Sequence, residues 1–411
     1  MNGWPGRAVA LARARALEFG AALVAFAVYA AFSGPMLLRQ SHAPHFVYQA
    51  EGFLRGRLSI PGPPPNLNDW VWFGHHWYVS FPPFPAVLML PFVAVEGLGF
   101  NDVFFTVCLA ALAVSAFVAM LKALREDGQH AHSDRDIAVL AAFFAFGTVF
   151  FYSSIRGEVW FTAHVVGVLL TSLFVILSLR GRHPWLAGIL LGCAALSRAD
   201  LVFAALFFAL ETLSSPDGGT ALTWGRRLHR ALPQWIRFAV PVSLILGAAF
   251  WMNDVRFGHP LEFGHALLFD NRVNARVHAH GLFSLAYLPG NFRSAFLLLP
   301  SVQWHPFRVG FDGNGMSMLL TTPLLLLLPF GVRQTRSTFA LAATAVVTAL
   351  PGLLYMNNGW YQFGYRFSND YLPYLFALFA VGGRPLDKKL YALGAVGVVV
   401  CTWGALVFNR F

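Results

Sequence analysis

Apolar runs of about twenty residues, the length that crosses a bilayer as a helix, recur from Ala16 onward with only short polar breaks between them. In lipid the backbone must satisfy its own polar groups, so such runs have few folds open to them, and helices are the simplest. Charged residues make up 12% of the 411-residue chain, roughly half of the about 25% usual in soluble domains. The reading is an all-α polytopic membrane protein, a single integral membrane domain over residues 1–411 with no soluble module. Arg7, Arg13 and Arg15 precede the first run, Ala16–Leu38. No Ala-x-Ala cleavage context follows closely, which predicts a retained helix with a cytoplasmic N-terminus.

Further helices are expected at 102–122, 137–154, 160–179, 184–198, 199–213, 236–252, 317–333, 338–356, 371–384 and 388–408. The segment 83–99 carries Pro83, Pro85, Pro91 and Glu96. If it spanned, the clusters Arg180/Arg182, Arg226/Arg227/Arg230, Arg333/Arg336 and Arg384/Lys388/Lys389 would all lie outside, against the positive-inside bias. It is therefore read as a partial helix beside about eleven spans. That topology puts 39–82, 253–316 and 357–370 outside, as the first loop, the second large loop and a shorter third segment. The net charge of +10 sits in short loops between apolar runs and sets orientation; no nucleic-acid partner is expected. Cys108, Cys193 and Cys401 fall inside apolar segments, with neither disulfide nor metal-ligand spacing, and read as packing residues.

Polar chemistry gathers on the external side. The first loop opens with "HFVYQAEGFLRGRLSI", which places Phe46, Ala50, Phe53 and Leu54 on one helical face suited to a membrane surface. Next comes "NDWVWFGHHWYVSFPPFP", Asn68–Pro85, with strand-like alternation that the prolines end. These rings suit an interfacial belt, but a belt needs neither Asp69 nor the pair His75 and His76, which point to a pocket. Helix-end charges face the same way: Arg156 and Glu158 in "SIRGEVWFTAH", Arg198 and Asp200 in "LSRAD", Arg366 and Asp370 in "GWYQFGYRFSNDYLPYL". Ionisable groups at such depths either pair internally to lock the bundle or face a functional cavity. Guanidinium forks suit phosphate oxygens, aromatic faces suit sugar rings, and a carboxylate beside both is placed to take a proton from a hydroxyl.

The order of "VYQAEGFLRGRL", "WYVSFPPFPAVLMLPFVAV" and "LAGILLGCAALSRAD" resembles the C-type (GT-C) membrane glycosyltransferases, the superfamily of the protein O-mannosyltransferases and aminoarabinose transferases. The resemblance covers about residues 16–213 and runs more loosely to 384. It implies a polyprenyl-phosphate sugar donor, a glycan, lipid or protein acceptor, contact with membrane lipids, and a place in the bacterial inner membrane. It also implies a catalytic Asp a few residues before the loop-helix tyrosine, but "SHAPHFV" before Tyr48 holds no carboxylate. Glu51 or Asp69 takes that role, or the activity has been lost. By the same resemblance Glu158 matches a second acidic position, Arg198 a phosphate-binding cation and Tyr78 a pocket aromatic, while Phe81 replaces a basic residue. Tyr48, His76, Asp200 and Arg366 complete the expected substrate-binding set. His75 and His76 point to opposite faces if extended, so no metal and no cofactor is expected. The rival classes are a transporter or lipid-moving protein, against which the lack of paired halves speaks, and a non-catalytic scaffold of the same fold.

Overall fold

The computed structural model describes residues 15–214, 223–269, 271–330 and 333–408; the expectations about Arg7, Arg13, Gly331 and Val332 lie outside the described residues. The chain is overwhelmingly helical. Its principal helices are α1 (Ala16–Ser33), α2 (His45–Leu54), α3 (Phe84–Glu96), α4 (Asp102–Glu126), α5 (Asp134–Phe146), α6 (Val159–Ser178), α7 (Pro184–Ala195), α8 (Ala205–Leu213), α9 (Trp224–Phe257), α10 (Thr338–Leu354), α11 (Leu372–Val381) and α12 (Lys388–Val407). Among the described residues five helical segments are long and apolar enough to cross a bilayer: Ala16–Leu38, Asp102–Glu126, Val159–Gly181, Trp224–Phe257 and Lys388–Val407. Phe84–Gly99, Pro184–Ala195, Thr338–Leu354 and Leu372–Val381 are apolar but shorter.

Helices α1, α4 and α6 pack side by side, and α7 lies between α6 and α9. Gly188 and Gly192, four apart in the "GILLG" stretch, let the α7 backbone approach α9: a Cβ on Gly192 would stand 2.7 Å from Ile245 Cδ1, and one on Gly188 would meet the Phe238 carbonyl. Small residues at this spacing are how helices pack closely where lipid supplies no hydrophobic drive.

End-to-end contacts decide the path of α3. Lys122 Nζ, near the C-terminal end of α4, donates to Glu18 at the start of α1, at 2.9 and 3.0 Å. At the other end, Gln40 Nε2 donates to the Leu98 carbonyl at 2.6 Å and Asn101 Nδ2 to the Leu37 carbonyl at 2.8 Å. Helices α1 and α4 are therefore antiparallel, and the segment between them returns to the side it left. So α3 does not reverse the chain, in keeping with Pro83 before it and Pro85, Pro91 and Glu96 within it. Arg180, Arg182 and Arg336 converge on the Asp127 carboxylate just past α4, and Arg336 also reaches Glu211 at 2.7 Å. Two predicted basic clusters thus share one end of the bundle with the α1 N-terminus.

Four expected helices differ in form. The 137–154 run breaks at Gly147, which has Gly394 and Gly397 of α12 against its backbone, and resumes as a short helix Phe150–Ser154. The 317–333 run is only a short helix, Met318–Thr321, followed by a 3₁₀ turn at Pro323–Leu327. Pro323 has no N–H and forces Thr322 out of helical geometry (φ −138°, ψ 67°). Helix 199–213 opens as 3₁₀ over Ala199–Ala204, and 236–252 is the middle of the 34-residue α9.

Besides the helices, the chain forms two small antiparallel hairpins, β1 (Trp70–Phe73) with β2 (His76–Val79), and β3 (Ser301–Trp304) with β4 (Phe307–Gly310). The first turns on Gly74 (φ 55°) and His75 (φ 65°), both left-handed as a two-residue primed turn requires. Trp70 is fully buried and stacks on His45 at 3.9 Å with an 11° interplanar angle, fixing the hairpin to α2. A backbone bond from Phe269 N–H to the Trp70 carbonyl, 2.8 Å, ties the first loop to the second. Together these contacts roof the bundle at the end away from the basic clusters.

Candidate functional site

Under that roof lies a cavity of about 790 Å³. Asp69, Phe81 and Pro82 of the first loop, the turn carrying Arg156 and Glu158, the start of α6, the Arg198–Asp200 turn, His265 of the second loop and Arg366 all line it. The volume suits a small-molecule ligand.

Asp69 has a left-handed backbone (φ 58°), which Asp tolerates better than most residues. Its Oδ2 accepts a hydrogen bond from the indole Nε1–H of Trp160 at 2.9 Å, across 91 residues. The carbonyl of Asn68 accepts from His45 Nε2 at 3.0 Å, so the residue before Asp69 is also held. The carboxylate is thus positioned by a packed helix although it sits on a loop.

Glu158 occupies the N-cap of α6 but makes no cap bond. Arg156 instead donates Nε to both its oxygens at 3.1 Å and Nη2 at 2.5 Å, and His42 Nδ1 lies 3.2 Å away. Burial opposes ionisation of Glu158, but Arg156 and His42 bring its pKa down to about 2. It is a closed ion pair.

Arg198 is closed in the same way. Its Nη2 donates to Asp370 Oδ2 at 2.8 Å and to Asp200 Oδ2 at 3.3 Å, with Phe367 under the guanidinium at 5.1 Å. Asp370 Oδ1 also lies 3.1 Å from His164 Nδ1. Against its burial, Arg198 and His164 hold the Asp370 carboxyl well below the usual carboxylate range.

Arg366 differs. It is 6% exposed and opens a 3₁₀ turn, Arg366–Asp370, with its backbone N–H bonded to Gln362 Oε1 at 2.9 Å. Among the described residues no carboxylate reaches its guanidinium, and its buried Nε donates to nothing. The rings of Phe161 and Phe367 lie 5.6 and 5.7 Å from it. Burial first, and the nearby Arg198 second, lower its pKa to about 10, while Asp69 favours the charged form. The side chain stays protonated at neutral pH. A buried, charged and unpaired guanidinium is costly unless an anion completes it.

The structure gathers Asp69, Glu158, Arg198, Asp200 and Arg366 in the cavity lining and leaves four expected residues outside it. Glu51 lies on α2 paired with Arg55, Nη2 at 2.6 Å, in an ordinary i,i+4 ion pair. Tyr48 packs edge-on against Trp70 at 5.7 Å, and Tyr78 against Phe257 at 5.4 Å, so both hold the hairpin down. His76 is exposed at the hairpin tip, because the turn at Gly74–His75 carries it outward.

Sequence reasoning missed Trp160 and His164, one helical turn apart in "VWFTAH", and His265. The i,i+4 spacing of Trp160 and His164 at a helix start was an available signal. His265 gave none. Its ring meets Tyr355 edge-on at 6.1 Å and its buried Nδ1 lacks a partner. Burial first and then Arg198 lower its pKa to about 4, so it is neutral. Among the described residues no three His, Cys, Asp or Glu side chains are grouped to hold a metal ion.

No family model and no curated protein sequence matches the chain. Solved structures do. ArnT from Cupriavidus metallidurans, solved bound to undecaprenyl phosphate, superposes with a TM-score of 0.51 at 16% identity over 96% of this chain and 64% of its own. The chain has the GT-C fold. The oligosaccharyltransferase AglB from Archaeoglobus fulgidus, in complex with an inhibitory peptide and a dolichol-phosphate, is a looser likeness: TM-score 0.48, 13% identity, 94% of this chain and 55% of that one. The chain thus spans less than two thirds of the length of either. The roofed first loop and the cavity below it lie at the end of the bundle where α1 finishes and α4 begins.

Proposed function

We propose that this protein is a membrane glycosyltransferase that moves a sugar from a polyprenyl-phosphate donor to an acceptor on the external face. One observation carries the reading: the Asp69 carboxylate and the unpaired Arg366 guanidinium line the same cavity. The undecaprenyl phosphate bound to the ArnT structure supports a lipid phosphate as the anion. In this reading the donor phosphate lies against Arg366, and its lipid tail runs out between the helices. The acceptor hydroxyl attacks the anomeric carbon, and its proton passes to Asp69. The carbon–oxygen bond to phosphate breaks, and the polyprenyl phosphate leaves with the electron pair. Positioning in a dry cleft and general-base help supply the rate. Arg198 and Glu158 are positioning residues, because their charges are already matched.

The same reading takes the five long helices, the shorter Pro184–Ala195, Thr338–Leu354 and Leu372–Val381, and the interrupted runs 137–154, 199–213 and 317–333 together as about eleven crossings. It puts 39–82, 253–316 and 357–370 outside, within one membrane domain, and the N-terminus in the cytoplasm of a bacterial inner membrane. Between the two candidate bases it chooses Asp69, since Glu51 is held by Arg55 on the surface of α2. The test is transfer by purified protein from a polyprenyl-phosphate sugar pool into membrane extract. Asp69→Asn should lower transfer by about 10²–10⁴-fold, and Glu51→Gln should leave it within about twofold. If Asp69→Asn transfers like wild type, Asp69 is not the base. If wild type transfers from no donor in the pool, the scaffold reading stands instead.

A further inference from the structure

The second hairpin carries chemistry that the cavity does not use. Its register pairs Val302 with Val309 and Trp304 with Phe307, so these four share one face, while Gln303 and Arg308 pair on the other. The apolar face is open: Val302 is 47% exposed, Trp304 72% and Phe307 64%. Leu297 and Leu299, just before β3, are exposed as well. Large rings left in water are costly, and a polar strand face opposite an aromatic one is the pattern of an element lying between two solvents.

The base of the hairpin shows its level. Phe311, directly after β4, stacks on Trp403 at 4.4 Å and packs on Phe408 at 5.2 Å. Trp403 lies in the last turn and a half of α12, a 20-residue helix whose other end carries Lys388 and Lys389. Twenty residues rise roughly 30 Å, the thickness of the hydrocarbon layer. The hairpin therefore springs from the edge of that layer opposite the lysines, where aromatic side chains anchor membrane proteins.

We propose that the hairpin Ser301–Gly310 is an interfacial anchor: its Val302/Trp304/Phe307 face beds into the headgroup–acyl boundary of the outer-leaflet phospholipid, and Arg308 on the other face meets headgroup phosphates. This rests on the external placement of 253–316 and not on the transfer chemistry.

The test uses the full chain, with Cys108, Cys193 and Cys401 replaced by alanine, in nanodiscs of phosphatidylethanolamine and phosphatidylglycerol. Spin labels are placed singly at Val302→Cys, Trp304→Cys and Gln303→Cys, with Val399→Cys on the exposed face of α12 as the lipid-facing reference. All four positions lie outside the packed core, so the labels leave the fold in place. Collision rates with oxygen should exceed those with a water-soluble nickel chelate at 302, 304 and 399, and the order should reverse at 303. Nickel access at 302 and 304 equal to that at 303 would put the hairpin in water and overturn the proposal. Shielding of 302 and 304 from both reagents would show a protein partner covering the face, and would also overturn it. Since no donor is used, either failure leaves the glycosyltransferase reading to its own test.

Discussion

Arg198 and Asp370 are 172 residues apart in sequence, yet Nη2 of the first stands 2.8 Å from Oδ2 of the second, with Nε 3.2 Å from both oxygens. The pair neutralises the arginine that sequence resemblance marks as the phosphate cation. Arg366, which no carboxylate reaches among the described residues, still presents a positive charge to the cavity.

The two arginines should therefore fail differently. Arg366→Gln should keep the fold and raise the apparent KM for the donor at least tenfold, since a charge-assisted contact is worth about 1.5–3 kcal/mol. Arg198→Gln leaves Asp370 buried without its cation and should cost about 3–5 kcal/mol of stability. Thermal unfolding in detergent, measured beside transfer kinetics, separates them; a stable Arg198→Gln with a raised KM would return Arg198 to the phosphate site.

Trp160 lines the cavity and holds the Asp69 carboxylate. Trp160→Phe keeps the ring and deletes the N–H that stabilises the ionised carboxylate, so the pKa of Asp69 should rise. The acidic limb of the pH–rate profile for transfer should move to higher pH while the melting temperature changes little. An unmoved limb would detach Trp160 from the base.

The first loop should carry a pH-dependent stability. Burial lowers the His45 pKa from its ordinary 6.5 to about 4, against the pull of its backbone partners at Ala43 and Asn68. Between those values the unfolded chain binds the proton and the folded one does not. Stability is therefore complete above about 6.5 and is lost as pH falls toward 4, by up to about 3 kcal/mol from this group. His45→Gln retains a donor to the Asn68 carbonyl and does not titrate. Its melting temperature should fall less between pH 7 and 4.5 than that of wild type, while His130 and His265, likewise lowered by burial, still contribute slope in both proteins. An unchanged slope would acquit His45.

Topology is open to cysteine labelling. Ser59→Cys, Ser284→Cys and Trp360→Cys should react with a membrane-impermeant maleimide from the external side, and His183→Cys only from the cytoplasmic side. Labelling of any of the first three solely from the cytoplasm would invert the assignment.

Much of the frame was legible in the sequence, because apolar length and turn chemistry are local properties. The runs at 16–38, 102–122 and 160–179 needed nothing beyond hydropathy, and the helix at His45–Leu54 followed its apolar spacing. The Glu51–Arg55 pair was equally local, readable from i,i+4 spacing. What remained hidden depended on closure over long separations. Sequence placed Arg156, Arg198, Arg366 and three carboxylates at the same end of the bundle but could not match cation to anion, since partners in a low-dielectric interior are chosen by ångström-scale distance. Only the packing of α6 against the first loop brings the Trp160 indole to Asp69, and only the turn at Gly74–His75 sends His76 outward. Sequence alone determined that this chain is a bundle for a bilayer with its polar chemistry at one end. Tertiary structure decided that, among the described residues, no carboxylate reaches the Arg366 guanidinium, because that follows from what the neighbouring charges have already reached.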